Sequence, residues 1–213
     1  MILVFDLDET LIATPGKVYD DSIKGFILSE IKVNHALLDI IAEAKKKGNP
    51  ILLLTNNENS TVIYKGERGK FIDVALDELN KAYSTKYGPV ESIIDRILSA
   101  EKIKSMKRTY LKKRVDLYFA NISGNTRKRY YAKPVKSLED VRRMLGMLGM
   151  LGNNVKGEDV YFFDDDASHQ LCRECNFIHI TPPFGNSEEG KAPRERRGSK
   201  QTRRKLKDLR HGM

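Results

Sequence analysis

An α/β protein built on a parallel sheet is what this sequence predicts, and three observations carry the prediction. Residues 1–7, PILLL up to Thr55 and DVYFF at 159–163 carry short uninterrupted apolar runs that give way to polar residues, as in strands buried on both faces. Between the first two lies NHALLDIIAEAKKK at 34–47, whose apolar positions recur at helical spacing. Strands alternating with helices favour right-handed crossovers within one parallel sheet, whose ligands bind outside the carboxyl ends of the strands.

Each element has its own local reason. Asn34 stands at the N-cap of the first helix, lysines fill its last turn and Gly48 offers a stop. The strand PILLL ends at Thr55. A polar loop is expected from there to about Lys70, then helices over FIDVALDELNKAY (71–83) and VESIIDRILSAEKI (90–103). VDLYFANI (115–122) reads as a strand. Ser137 with Asp140 forms a capping box for a helix reaching about Leu151. DVYFF then runs into Asp164, Asp165 and Asp166, and a short helix and FIHIT close the order. The triplet repeat MLGMLGMLG places Gly146 and Gly149 inside a helical pattern, where each costs about 1 kcal/mol against alanine.

The 213 residues allow one well-filled core. No apolar run approaches the roughly 18 residues of a membrane span, and the amino terminus does not have the pattern of a secretory signal. Two cysteines give no disulfide framework, so an intracellular setting, cytoplasmic or nuclear, is expected. The net charge of +9 is concentrated at one end: residues 191–213 carry ten basic and two acidic side chains, leaving the preceding body near neutral. Expected, therefore, are a folded domain over 1–190 and a basic disordered tail that can bind nucleic acid through counterion release.

The chemistry collects at strand ends. Asp6 and Asp8 follow the first strand, Thr55 the second, and Asp164 and Asp165 a later one, so polar groups far apart in sequence would meet at one sheet edge. A carboxylate is ionised at neutral pH and can attack phosphorus to give an acyl phosphate. A hydroxyl and a lysine can hold the phosphoryl oxygens, and a few carboxylates suffice for Mg²⁺.

FDLDET, LLLTN, YYAKP and YFFDDD, in that order, resemble the four motifs of the haloacid dehalogenase superfamily and between them cover about residues 1–185. The resemblance implies a three-layer Rossmann-like fold and Mg²⁺ held by Asp6, Asp164, Asp165 and the backbone carbonyl of Asp8. Asp6 would be the nucleophile and Asp8 the general acid and base. Thr55 and the Asn56 N–H would bind phosphoryl oxygen, and Lys133 would bridge nucleophile and phosphate. The short span from Asp8 to Asn34 implies little or no cap after the first motif, and residues 58–113 are expected to form a helical insert or partial lid.

Within that superfamily, DLDETLI is most similar to small phosphatases acting on phosphoserine in the carboxyl-terminal repeat of RNA polymerase II, and to compact viral members. The resemblance thus implies a phosphomonoesterase acting on phosphoserine or phosphothreonine in protein. Nucleotides or nucleic-acid ends are the alternative substrates, and an idle nucleic-acid-binding member is a third reading. His169, Cys172, Cys175 and His179 also suggest zinc, but one Cys-x-x-Cys is weak, and two buried thiols are the expectation. Arg127, Lys128 and Arg129 read as a solvated basic loop.

Overall fold

A computed structural model describes residues 1–57, 59–99, 136–150 and 152–181. Five strands form the central sheet: β1 (Ile2–Phe5), β6 (Ile51–Leu54), β9 (Arg96–Leu98), β10 (Val160–Asp164) and β11 (Asn176–His179), in the order β11-β10-β1-β6-β9. Every pairing within it is parallel. Successive side chains of a strand point to opposite faces, and the core divides accordingly. Leu3, Phe5, Ile51, Leu53 and Phe163 face one side. Ile2, Val4, Leu52, Leu54, Val160 and Phe162 face the other.

Helices cover both faces. On the first side lie α1 (His35–Lys46), burying Leu37, Leu38, Ile40 and Ile41, and α2 (Phe71–Tyr87), burying Phe71, Ile72, Ala75 and Leu79. On the second lie α3 (Leu138–Met147), through Val141, Met144 and Leu145, and the short α4 (Leu171–Glu174), through Leu171. Burying such side chains contributes roughly 1.5–3 kcal/mol each. The result is a three-layer, Rossmann-like α/β fold with β1 at its centre, as expected.

α1 starts where the sequence predicts, but Asn34 does not cap it. Its side-chain Nδ2 donates instead to Thr10 O (3.0 Å) and its backbone N–H to Leu11 O (2.9 Å), tying the helix entry to the loop after β1. α3 carries the expected capping box, with the Ser137 N–H donating to Asp140 Oδ2 (2.9 Å). It stops at Met147, short of Leu151, and Gly149 adopts a left-handed φ of 74° just beyond.

Two expectations for the middle of the chain are overturned. Residues 61–70, read as a polar loop, form an antiparallel hairpin of β7 (Thr61–Tyr64) and β8 (Glu67–Lys70), turned by Lys65 and Gly66 at φ 52° and 83°. The hairpin extends a second sheet with β3 (Val18–Asp20) and β4 (Gly25–Leu28), in the order β3-β4-β7-β8. Its stability comes from pairing with β4, 33 or more residues away in sequence, which local polarity does not report.

The helix expected over 90–103 is, up to Ser99, a bent loop leading into the strand Arg96–Leu98. Asp95 hydrogen-bonds Ile51 at both its backbone N–H (2.8 Å, to Ile51 O) and its carboxylate (2.7 Å, from Ile51 N), and Ile93 N–H is held by Asn80 Oδ1 (3.0 Å). These bonds steer Arg96–Leu98 onto the edge of β6, overriding a helix-like apolar pattern. The helical insert expected over 58–113 is thus, in its described part, a β-hairpin, a core-packed helix and an edge strand.

Between Asp8 and α1 there are only short strands: β2 (Ile12–Ala13), β3, β4 and β5 (Lys32–Val33), in keeping with no helical cap there. The strand expected at 115–122 and the 191–213 tail lie outside the described residues. No helix among the described residues is long and apolar enough to cross a membrane.

Candidate functional site

The site sits where three adjacent strands of the sheet end. β1 stops at Phe5, and the next residue, Asp6, donates its N–H to Phe163 O (2.9 Å), so it leaves the sheet still tethered to β10. β10 itself ends in Asp164, and β6 is followed by Thr55, whose N–H donates to Leu98 O (3.1 Å). After Asp6 the chain turns: Leu7 O accepts from Leu11 N (3.0 Å) and Ile12 N (3.1 Å), and Glu9 takes a left-handed φ of 57°. That turn brings Asp8 back to the same mouth.

These residues line one open cavity of about 540 Å³, together with Glu9, Asn57 and His169. Of the expected site residues, Asp6, Asp8, Thr55, Asn56, Asp164 and Asp165 are all brought together there. Lys133 lies outside the described residues. The lysine found in the site is Lys136, whose Nζ is 2.5 Å from Asp6 Oδ1 and 2.6 Å from Asp164 Oδ2, with its side chain only 2% exposed.

Local structure explains how an ammonium comes to be there. Lys136 directly precedes the Ser137 cap of α3; its carbonyl accepts from Leu171 N (2.9 Å), and its N–H points to His169 Nδ1 (3.5 Å). Glu174 Oε2 in turn accepts from Leu138 N (2.7 Å). Backbone and cap are thus clamped between α3 and α4, and the side chain is left to reach across to β1.

Electrostatics set the character of the cavity. Burial, reinforced by the neighbouring Asp164, pushes the Asp6 carboxyl above its usual range, opposed by Lys136. Burial likewise raises Asp8, opposed chiefly by the Asn57 amide. Asp165 is pushed up to about 6 by burial and by the charges of Asp164 and Asp6. Burial acts to lower Lys136, but the two carboxylates outweigh it and hold the group above its ordinary value as a cation. One ammonium faces six carboxyl groups around the cavity, those of Asp6, Asp8, Glu9, Asp164, Asp165 and Asp166, so the cavity favours a further cation.

Asp6, Asp164 and Asp165 can each present one oxygen, all within 4.8 Å of one another. Hard carboxylate oxygens in this number, beside an open polar cavity, fit Mg²⁺, which keeps several waters and asks for few protein ligands. Among the described residues, His169, Cys172, Cys175 and His179 do not converge as a group in the way these carboxylates do. Cys172 Sγ donates to Asp166 O (3.7 Å), Cys175 Sγ to Leu171 O (3.0 Å), and burial first of all pushes both thiols up to about 12. His179 Nε2 lies 2.9 Å from Asp165 O.

Thr55 has a hydrogen-bonding polarity that suits an anion. Its Oγ1 accepts from Asn57 N–H (3.2 Å), which leaves the hydroxyl proton free to donate into the cavity. Asn57 also donates from Nδ2 to Asp8 Oδ2 (3.1 Å). The sequence assigns a role to Asn56 but none to Asn57, which stands beside it two residues after Thr55.

No protein-family model and no curated protein matches the chain. Among solved structures, an uncharacterized protein from Listeria monocytogenes serotype 4b is similar at 13% identity and a TM-score of 0.44, over 91% of this chain and 85% of that one. A hypothetical protein from Xanthomonas campestris is similar at 12% identity and a TM-score of 0.41, over 98% of this chain and 79% of that one.

Proposed function

We propose that this protein is a Mg²⁺-dependent phosphomonoesterase of the haloacid dehalogenase type, working through a phosphorylated Asp6. The observation that carries the proposal is the Lys136 ammonium bridging Asp6 Oδ1 and Asp164 Oδ2 at adjacent strand ends, with Asp8 and Thr55 lining the same cavity. A carboxylate nucleophile, a second carboxyl for proton transfer, a hydroxyl donor and a buried cation are the parts that phosphoryl transfer requires.

Asp6 attacks phosphorus, forming the acyl phosphate as the bond to the ester oxygen breaks. Asp8 gives its proton to that departing oxygen and, now ionised, removes one from the water that cleaves phospho-Asp6, releasing inorganic phosphate and restoring both groups. Thr55 donates to a phosphoryl oxygen. Lys136 offsets the negative charge that Asp6 and the phosphoryl group bring together. Mg²⁺, held by Asp6, Asp164 and Asp165, would supply charge neutralisation at the phosphoryl oxygens.

Phosphoserine or phosphothreonine in protein is the substrate class we favour, on the likeness of DLDETLI to the small polymerase-tail phosphatases and on the open, polar cavity. Nucleic-acid ends are the second reading, favoured by the tail charge of ten basic against two acidic residues. Hydrolysis of 4-nitrophenyl phosphate with and without Mg²⁺ tests the enzyme: metal-dependent turnover abolished in Asp6→Asn is expected. Turnover indifferent to metal, or surviving in Asp6→Asn, would refute it. A side-by-side panel of phosphopeptides and 3′- or 5′-phosphorylated oligonucleotides separates the two substrates.

A further inference from the structure

Asn57 lies just beyond LLLTN, yet it touches two residues of the site, Thr55 and Asp8. Its backbone N–H donates to Thr55 Oγ1 (3.2 Å), its Oδ1 accepts from Asn59 N–H (2.8 Å), and its Nδ2 donates to Asp8 Oδ2 (3.1 Å). The direction of the last bond follows from the second. A backbone N–H can only donate, so the amide atom facing Asn59 must be the oxygen, and the atom facing Asp8 must be the nitrogen. Asp8 Oδ2 is therefore an acceptor here.

The amide is also anchored. Asn59 holds a left-handed φ of 54°, and its own Oδ1 accepts from Ile72 N–H (2.7 Å) in the first turn of α2. Phe71 and Ile72 of that turn are buried in the main core. A chain of hydrogen bonds thus runs from a core helix to one oxygen of the Asp8 carboxyl.

We infer that Asn57 is the positioning residue for Asp8: it occupies Oδ2, so Oδ1 is the oxygen that exchanges a proton with the substrate's ester oxygen. The inference rests on the phosphoryl-transfer reading above and adds to it the residue that aims the acid. The chemistry is conservative: the proton leaves Asp8 Oδ1 for the departing oxygen as the phosphorus–oxygen bond breaks, and Asn57 keeps its own protons throughout.

Leaving-group dependence separates this role from a merely structural one. 4-Nitrophenolate departs as a stable anion and needs little help from an acid, whereas a serine alkoxide cannot depart without a proton. kcat/KM for full-length protein with Mg²⁺ reports the steps up to phospho-Asp6, so the later water step, shared by every ester, does not blur the comparison. For Asn57→Ala we expect kcat/KM on a phosphoserine peptide to fall about 10²-fold and on 4-nitrophenyl phosphate only about 3-fold. Asn57→Asp, which keeps an acceptor for Asn59 but replaces the donor to Asp8, should show the same split even if the alanine variant folds poorly.

Equal losses on both esters, or no loss in either variant, would overturn the assignment of Asn57 while leaving the phosphatase reading intact. Wild-type protein that turns over neither ester would remove the phosphatase reading and this inference together.

Discussion

Lys136 Nζ lies 2.5 Å from Asp6 Oδ1, although the two residues are 130 positions apart, and both are buried. Taking a lysine and two carboxylates out of water is costly unless they meet, and breaking such a contact by removing one partner costs about 3–5 kcal/mol. Lys136→Met should therefore lower unfolding free energy by about 3 kcal/mol in a metal-free urea titration. It should also abolish phosphatase turnover, with added Mg²⁺ recovering part of the stability and none of the activity. Unchanged stability in EDTA would show that the ammonium does not hold the strand ends together.

Asp165 makes the metal-free protein sensitive to pH. Its carboxyl titrates near 6 in the folded chain against 3.8 for the ordinary group, so between those values the folded state binds more protons than the unfolded. By linkage, this contribution to stability is fully present below about 3.8 and is lost as pH rises through about 6. Asp6 and Asp8, raised by burial, act with the same sign. Mg²⁺ binds the ionised form, so the rise in Tm on adding Mg²⁺ should grow as pH climbs from 4 to 7. Asp165→Asn should flatten that growth. An Mg²⁺ effect independent of pH would argue against Asp165 as a ligand.

Thr55→Val keeps the shape and deletes the hydroxyl. Asn57 N–H then loses its acceptor at a half-buried position, costing about 1 kcal/mol, and the phosphoryl group loses a donor. We expect kcat/KM to fall by about 10²-fold, as when one oxyanion donor is removed. Thr55→Ser should restore most of it. Steady-state kinetics of the three proteins on one ester is the check.

Gly157 packs against the backbone that buttresses Lys136. A Cβ placed there would come within 1.6 Å of Glu174 O, and Glu174 is the residue whose Oε2 holds the first N–H of α3. Gly157→Ala must shift that backbone and should destabilise the fold by about 1–3 kcal/mol. Gly146→Ala, where no atom lies within 4 Å of the new Cβ, should stabilise α3 by up to about 1 kcal/mol. Thermal melts of the pair give opposite signs if both contacts are as described.

Where the sequence misled, the cause was a contact it does not encode locally. The apolar spacing of Ile93, Ile94, Ile97 and Leu98 fits a helix, and nothing nearby says that Asp95 will find Ile51. The TVIY segment at 61–64 is short and flanked by polar residues, so its partnership with β4 is invisible until the second sheet is assembled. Lys136 stands directly before a capping box that could be read with ease, but which of several lysines in 128–136 reaches the carboxylates depends on how α3 and α4 clamp its backbone.

By itself the sequence determined the strands ILVF, ILLL and VYFF, the helices around 35–46 and 71–83, and the clustering of carboxylates after two of those strands, because these follow from hydrophobic runs, periodicity and caps acting over a few residues. Only the tertiary structure decided that Lys136 bridges Asp6 and Asp164, that Asn57 holds Asp8, and that residues 61–70 join a sheet with residues 18–28. Each of those outcomes pairs polar groups distant along the chain. Such groups settle on partners only once folding has removed their alternative, which is water.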